Sequence, residues 1–210
     1  MTVAAKPSEF GAPGGFATPA TGLRQRMRAA TADAHRRVDS RFGALDLTNL
    51  DGYRRFLEAS AAALLPLEAA LVDAGVARTF PDWPARSRRN AILQDLADID
   101  GELMPLPSPP SLDFGGMLGT LYVLEGSRLG ARFLLKTVAD SPTEAVAAAT
   151  AYLRHGAERP LWQSFLAALE RNAATLHSDA SAIQGALRAF ALFEQAAIRR
   201  GARNAMADAE

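Results

Sequence analysis

The chain has 210 residues, of which 49% are hydrophobic and 22% charged, and its 23 Lys and Arg balance its 23 Asp and Glu. A formal net charge of zero argues against a general electrostatic attraction to nucleic acid or to an anionic membrane. The lack of cysteine excludes disulfides, thiolate nucleophiles, Cys-ligated zinc and iron–sulfur clusters.

Residues 1–20 are rich in Gly, Pro and Ala and have no helical period, which predicts a flexible arm. Alternatively, Phe10 and Phe16 would let this arm fold over a neighbour. The arm has one Lys and no apolar core before Gly11, so it does not resemble a secretory signal. No apolar run reaches the roughly 18 residues that span a bilayer. A cytoplasmic protein with no membrane partner is therefore expected.

The first helix is predicted at about residues 21–40, with Thr21 as its N-cap. Its apolar residues recur at steps of three and four, as in an amphipathic helix: Leu23, Met27, Ala30, Ala34 and Val38. Thr31 and His35 flank this stripe, so His35 lies at the margin of the buried face. Arg28 precedes His35 by seven residues and therefore points in nearly the same direction, two turns or about 10 Å away.

Further helices are predicted at 49–74, 86–98, 115–136, 143–154, 159–175 and 180–202. In the first of these, Asn49 or Asp51 begins the helix, Pro66 predicts a kink or break near Leu65, and Gly75 is a C′ residue. The segments 76–85 and 101–113 are predicted loops. No alternating strand run and no repeat is found, so the fold class is all-α. The predicted organisation is a single domain over 21–202, followed by a tail at 203–210.

The helix at 115–136 is unusual, because glycine costs about 1 kcal/mol relative to alanine in a helix interior. Four of its glycines share one face with Tyr122: Gly115, Gly119, Gly126 and Gly130. Four apolar residues lie off this stripe and are predicted to pack in the core: Leu118, Leu121, Leu129 and Phe133. A bare face indicates that something lies close to the backbone, either a crossing helix or a flat ligand.

Several other residues have simpler interpretations. His155 stands at a helix C-terminus, where it complements the dipole, and His177 stands in a turn. Surface exposure is predicted for Arg88–Arg89 and Arg199–Arg200, and packing for Trp83 and Trp162. The sequence contains no His pair at metal-binding spacing and no glycine-rich phosphate loop.

The combination of two helices is more specific than either one. A flat macrocycle would fit between the helix that carries Arg28 and His35 and the bare strip that carries Tyr122. The imidazole would ligate its iron, and Arg28 would reach a propionate carboxylate. The glycines would let the second helix approach the opposite face and leave room for a small gas.

Two segments of the chain resemble the haem oxygenase family. MRAATADAH, at 27–35, is similar to the proximal helix of that family, and LYVLEGSRLGARFL, at 121–134, is similar to its distal helix. A weaker match is ALFEQA, at 191–196. The form YVLEGSxLG looks most like the bacterial branch found alongside bacteriophytochromes.

The resemblance implies a haem-oxygenase-like multi-helix bundle in which haem is both substrate and cofactor. It makes His35 the iron ligand and Gly126, Ser127 and Gly130 the catalytic set. The implied haem contacts are Arg28, Thr31, His35, Tyr122, Gly126 and Gly130. The implied reaction is oxidative cleavage of haem to biliverdin, iron and CO by O2. Electrons would come from an external ferredoxin- or flavoprotein-type reductase, and a bacteriophytochrome is a candidate acceptor of the biliverdin.

Two positions depart from the family pattern. Ser127 replaces an aspartate that many members carry after the first distal glycine, where it anchors a water network that delivers protons. Gln163 stands where an arginine for the second propionate is expected. The main alternative is therefore a haem-binding or haem-sensing protein without turnover. A thiaminase-type hydrolase is disfavoured because it needs a cysteine, and a helical interaction module would use the glycine stripe only as a tight crossing.

Overall fold

The computed structural model describes residues 22–176 and 178–207, and these residues form ten helices and no strand. The helices are α1 (Leu23–Gly43), α2 (Leu50–Asp73), α3 (Val76–Thr79), α4 (Trp83–Arg86), α5 (Arg89–Asp98), α6 (Phe114–Ala139), α7 (Glu144–Ala148), α8 (Ala151–Arg154), α9 (Leu161–Ala173) and α10 (Ala180–Ala207). The all-α prediction is thus confirmed. Within the part of the chain described, none of the helices combines the length and apolar character that crossing a bilayer requires. The predicted arm at 1–20, Thr21 and His177 lie outside the described residues.

The helix boundaries differ from the prediction in several places, of which four change the description of the chain most. The segment 76–85 was predicted to be a loop but contains α3 and the start of α4. The predicted helix at 143–154 is interrupted between α7 and α8. The last helix continues to Ala207, beyond the predicted end at 202. The first helix begins at Leu23, and Gly22 is its N-cap.

The central helix of the bundle is α2. Every residue from Phe56 to Glu68 is buried, so neighbours cover this helix on all sides. Its N-terminus is capped as predicted, because the Asn49 side chain accepts a hydrogen bond of 2.8 Å from the Gly52 N–H. The predicted break at Pro66 is wrong, since the helix runs without interruption to Asp73. Gly75 follows it with φ of 77°, which confirms the C′ prediction.

Two buried carboxylates of α2 hold the loops that surround it. Glu68 accepts hydrogen bonds from the N–H groups of Arg88 and Arg89, at 2.7 and 3.2 Å, and so satisfies donors at the start of α5. Glu58 forms an ion pair of 3.1 Å with Arg200 of α10. The predicted exposure of Arg88 and Arg200 is therefore wrong, because both side chains are buried where carboxylates of α2 anchor the surrounding chain.

The first half of the glycine stripe is a close helix crossing between α6 and α10. A Cβ atom added to Gly119 would stand 1.9 Å from the Ala182 carbonyl oxygen, and one added to Gly185 would stand 2.4 Å from the Gly116 carbonyl oxygen. Asp113 caps α6 by accepting from the Gly116 N–H at 2.7 Å. No side chain larger than hydrogen fits at Gly119 or Gly185, so the crossing-helix interpretation holds for this half of α6.

We predict that Gly119→Ala destabilises the protein without bound ligand, whereas Gly130→Ala does not. The first substitution forces α6 and α10 apart, and such overpacking costs about 1–3 kcal/mol. The second adds a methyl group where nothing lies within 4 Å, so it gains up to about 1 kcal/mol of helix propensity. Urea unfolding of both variants measures the two free energies. Equal stabilities would contradict the division of the stripe into two halves.

Candidate active site

A cleft of about 740 Å³ lies between α1 and the second half of α6. Residues of α2, α8, α9 and α10 and the Arg88 side chain complete its walls. The structure brings together all the residues predicted for the site, because the cleft is lined by Arg28, Thr31, His35, Tyr122, Gly126, Ser127 and Gly130. His155 and Gln163 do not line this cleft but border a much smaller hollow next to it.

His35 is oriented by a carboxylate one turn further along α1. Its Nδ1 atom lies 3.0 Å from Asp39 Oδ2, and the edge of its ring packs against Phe190 at a centroid distance of 5.5 Å. An Nδ1–H that donates to Asp39 leaves the Nε2 lone pair available to a metal. The side chain is 60% exposed, as a ligand that opens onto a cleft should be. Sequence reasoning missed Asp39, although the i, i+4 spacing from His35 was a usable signal.

The second half of the glycine stripe faces open space instead of a helix. A Cβ atom on Gly130 would meet nothing within 4 Å, and one on Gly126 would meet only the Trp162 ring at 3.7 Å. The flat-ligand interpretation therefore fits this half. The core prediction for Leu129 and Phe133 is wrong, because these side chains line the cleft and are 40% and 80% exposed.

A buried arginine reaches the cleft beside the distal serine. Arg88 is only 2% exposed, and its Nη2 donates hydrogen bonds of 3.0 Å to Ser127 Oγ and to the Leu124 carbonyl oxygen. Its guanidinium also lies 5.1 Å from the Tyr152 ring centroid. The Ser127 hydroxyl itself donates to the Leu124 carbonyl oxygen at 2.8 Å. No local pattern predicted this contact, because 39 residues separate Arg88 from Ser127 in sequence.

The other aromatic and basic residues of the site gather around the cleft. The Arg24 guanidinium lies 5.8 Å from the Trp162 ring centroid, and Trp162 packs against Tyr122. Burial raises the pKa of Tyr122, and the charges of Arg24 and Arg28 oppose that shift. Sequence reasoning missed Arg24, which is a second cation at the cleft beside Arg28. The hydroxyl of Thr31 donates to the Met27 carbonyl oxygen at 2.8 Å, so Thr31 offers the cleft mainly its methyl group.

These residues fit a haem. One wall offers an imidazole nitrogen with its partner nitrogen already bonded, and the opposite wall exposes backbone at Gly126 and Gly130. Arginines that line the cleft suit the two carboxylates of the macrocycle. Among the described lining residues the only carboxylate is Asp39, which is bonded to His35. The distal side therefore provides a serine and a guanidinium but no acid.

Comparisons with known proteins point to one family. The family model described as “Heme oxygenase” matches residues 87–198. The chain is 30% identical to Heme oxygenase PigA of Pseudomonas aeruginosa over 181 residues, which are 80% of this chain and 88% of that protein. It is 31% identical to a heme oxygenase of Xanthomonas campestris pv. campestris over 144 residues, 68% of this chain and 87% of that protein.

The fold is also similar to that of a solved member. The structure of the heme oxygenase of Neisseria meningitidis bound to NO and CO matches with a TM-score of 0.72 and 26% identity. The match covers 86% of this chain and 92% of the other. Because the family model covers more than half of the chain and a relative is 30% identical over 80% of it, the chain belongs to the haem oxygenase family.

Proposed function

We propose that the cleft binds haem with His35 as the iron ligand, and that the enzyme cleaves this haem to biliverdin, iron and CO. The observation that carries the proposal is that the two opposite walls of one cleft, α1 and the second half of α6, differ in what they offer a ligand. His35 on α1 has only Nε2 free to bind a metal. On α6, Gly130 presents backbone to open space and Gly126 faces only the Trp162 ring. Packing between helices therefore does not account for Gly130, where a Cβ atom would meet nothing within 4 Å.

The residues of α1 bind and orient the substrate in this proposal. Asp39 fixes the ring orientation of His35 and increases the electron density at Nε2. Arg24 and Arg28 bind the two propionates, since both line the cleft close to Tyr122. The apolar side chains of α6 at the cleft, Leu129 and Phe133, cover the macrocycle and lose exposure when it binds.

The residues on the α6 side control space and protons. Gly126 and Gly130 leave room for a diatomic molecule that a side chain would fill. Ser127 holds water through its hydroxyl, and Arg88 fixes that hydroxyl and contributes a buried positive charge. A preorganised cation and donor stabilise negative charge that develops beside them. Arg88 and Ser127 would thus replace the aspartate that many relatives carry.

The chemistry that haem supplies when bound is the activation of O2 at its iron, which opens the macrocycle and releases iron and CO. The electrons come from outside the chain, and we propose a ferredoxin- or flavoprotein-type reductase in the cytoplasm as their source. A bacteriophytochrome remains our candidate acceptor of the biliverdin, on the basis of the YVLEGSxLG form of the distal segment.

A non-catalytic haem-binding or sensing protein is the second candidate, favoured by the missing distal carboxylate. One experiment separates the two functions. The haem complex is mixed with reductant and O2, and absorbance is followed through a single turnover. Loss of the Soret band with formation of biliverdin identifies the oxygenase, whereas a stable O2 complex identifies the sensor.

We predict that His35→Ala abolishes the spectrum of imidazole-ligated haem and the formation of biliverdin, because the cleft loses its iron ligand. External imidazole should restore part of both. Asp39→Ala should keep the ligation but weaken haem binding about 10- to 100-fold, as expected for the loss of a partner of a metal ligand. A wild-type spectrum and wild-type turnover in His35→Ala would eliminate His35 as the ligand.

We predict that Arg28→Ala weakens haem binding by about 1–3 kcal/mol, the value of a charge-assisted hydrogen bond. It should also change the ratio of biliverdin isomers, because the macrocycle loses one of its orienting contacts. Arg41→Ala is the matched control, since Arg41 is an exposed arginine of α1 that does not line the cleft. Haem titration and chromatography of the products provide the readouts. If Arg28→Ala and Arg41→Ala have the same haem affinity and the same ratio of biliverdin isomers, Arg28 is only a surface charge.

We predict that Ser127→Ala binds haem normally but forms biliverdin about 100-fold more slowly, because it removes the hydroxyl oxygen that would hold a proton-bearing water beside Arg88. Ser127→Thr keeps the hydroxyl next to Arg88 and should retain most of the activity. Single-turnover rates with excess reductant measure both variants. Similar rates for Ala and Thr at this position would show that the hydroxyl has no part in proton delivery.

A further inference from the structure

Three charged residues, two of α6 and one of α4, are buried and do not line the cleft. We call Arg86, Glu125 and Arg128 the outer cluster; each is less than one-tenth exposed. Glu125 Oε2 lies 3.0 Å from Arg128 Nε and 3.2 Å from Arg86 Nη1. Arg128 Nη2 also donates to Glu125 Oε1 at 3.2 Å. One carboxylate, itself 1% exposed, is therefore shared by two guanidinium groups.

The outer cluster ties α6 to three other elements. Arg128 donates to the carbonyl oxygen of Arg86 in α4 and, at 3.1 Å, to the carbonyl oxygen of His155 after α8. Arg86 donates to the Leu161 carbonyl oxygen at 3.1 Å and to Ser164 Oγ at 2.7 Å, both in α9. The segment of α6 that contains Glu125 and Arg128 is thus attached on one side to α4, α8 and α9.

The contact with His155 adds a further restraint. Arg128 Nη1 lies 3.3 Å from His155 Nδ1, where a neutral ring accepts a hydrogen bond. Burial, together with the charge of Arg128, lowers the pKa of His155, so the neutral form is favoured at neutral pH. The residues after α8 are therefore held against the same guanidinium that binds Glu125.

The cleft side of this segment has no comparable attachment. We call Gly126–Gly130 the distal segment. A Cβ atom on Gly130 would meet nothing within 4 Å, and Leu129 is 40% exposed. Among the described residues, the side-chain hydrogen bond that reaches the distal segment from the cleft side is that between Arg88 and Ser127. Side-chain packing on the cleft side therefore does little to fix the distal segment. By contrast, Glu125 immediately precedes this segment and Arg128 is one of its residues, so the outer cluster is attached to it directly.

We propose that the outer cluster positions the distal segment, and so sets the distance between its backbone and the haem without touching the haem. This inference rests on the proposed function of the cleft. Glu125 is the central group, because both arginines contact this buried carboxylate, although Arg86 also pairs with Asp82 at 2.9 Å. Arg86 and Arg128 are likewise positioning residues, because they act on the distal segment through Glu125 and do not touch the haem.

The test uses the full chain with Glu125→Gln, which keeps the shape and a carbonyl acceptor but removes the charge. The matched control is Glu58→Gln, which removes the charge of another buried carboxylate paired with an arginine, Arg200 at 3.1 Å. Glu58 is on α2 and does not line the cleft. Amide hydrogen exchange is measured in both variants without haem. The C–O stretching frequency of the CO complex and single-turnover rates are measured with haem.

In Glu125→Gln, we expect the amides of the distal segment to exchange about tenfold faster or more, because the restraint on local opening is weakened. The C–O stretching frequency should shift and turnover should slow, while the His35-ligated Soret band stays unchanged. In Glu58→Gln the distal segment should exchange at the wild-type rate, with an unchanged CO complex. Wild-type exchange in Glu125→Gln, or equal acceleration in both variants, would overturn the proposal.

A second variant covers the case in which Glu125→Gln does not fold. Arg128→Lys keeps the charge but loses the paired hydrogen bonds to Glu125 and the reach to two carbonyl oxygens. Arg128→Lys should also show faster amide exchange in the distal segment. Exchange at the wild-type rate in this variant would overturn the proposal. If the wild-type chain does not bind haem, the proposed function fails, yet hydrogen exchange still decides whether the outer cluster restrains the distal segment.

Discussion

The structure depends on one constraint: α6 must expose its backbone at Gly126 and Gly130, where it faces the cleft, and must still hold a fixed position. Glycine removes the packing that normally locates a helix, so the restraint has to come from elsewhere. The first half of α6 obtains it from the close crossing with α10 at Gly119 and Gly185. In the second half no helix backbone packs within 4 Å of a Cβ added at Gly126 or Gly130, and the outer cluster attaches the other side of α6 to α4, α9 and the residue after α8.

Buried charge holds several parts of this neutral chain in place. Carboxylates at Glu58 and Glu68 hold the chain around α2, and Glu125 holds α6, in each case through arginines or backbone N–H groups. In the described residues, every buried side-chain nitrogen or oxygen has a hydrogen-bond partner. Buried polar networks whose hydrogen bonds are all satisfied make the positions of the helices they join more rigid. A cleft between two helices depends on such fixed helix positions. Arg88 extends this network to the cleft through Ser127.

Sequence periodicity was sufficient to predict which residues share one face of the same helix. It placed His35 and Arg28 on one face of α1, and it placed the glycines and Tyr122 on one face of α6. It did not reveal what lies opposite each face, so the split of the stripe and the exposure of Phe133 were missed. Buried charges such as Arg88 could not be predicted either, because their partners are distant in sequence and a charge has no periodic signature.

The most direct test of the account is a crystal structure of the chain with haem. We expect the iron bonded to Nε2 of His35, Asp39 still bonded to Nδ1, and the backbone of Gly126 and Gly130 against the opposite face of the macrocycle. The propionates should contact Arg24 and Arg28. Haem bound outside this cleft, or iron ligated by a residue other than His35, would contradict the assignment of the two walls.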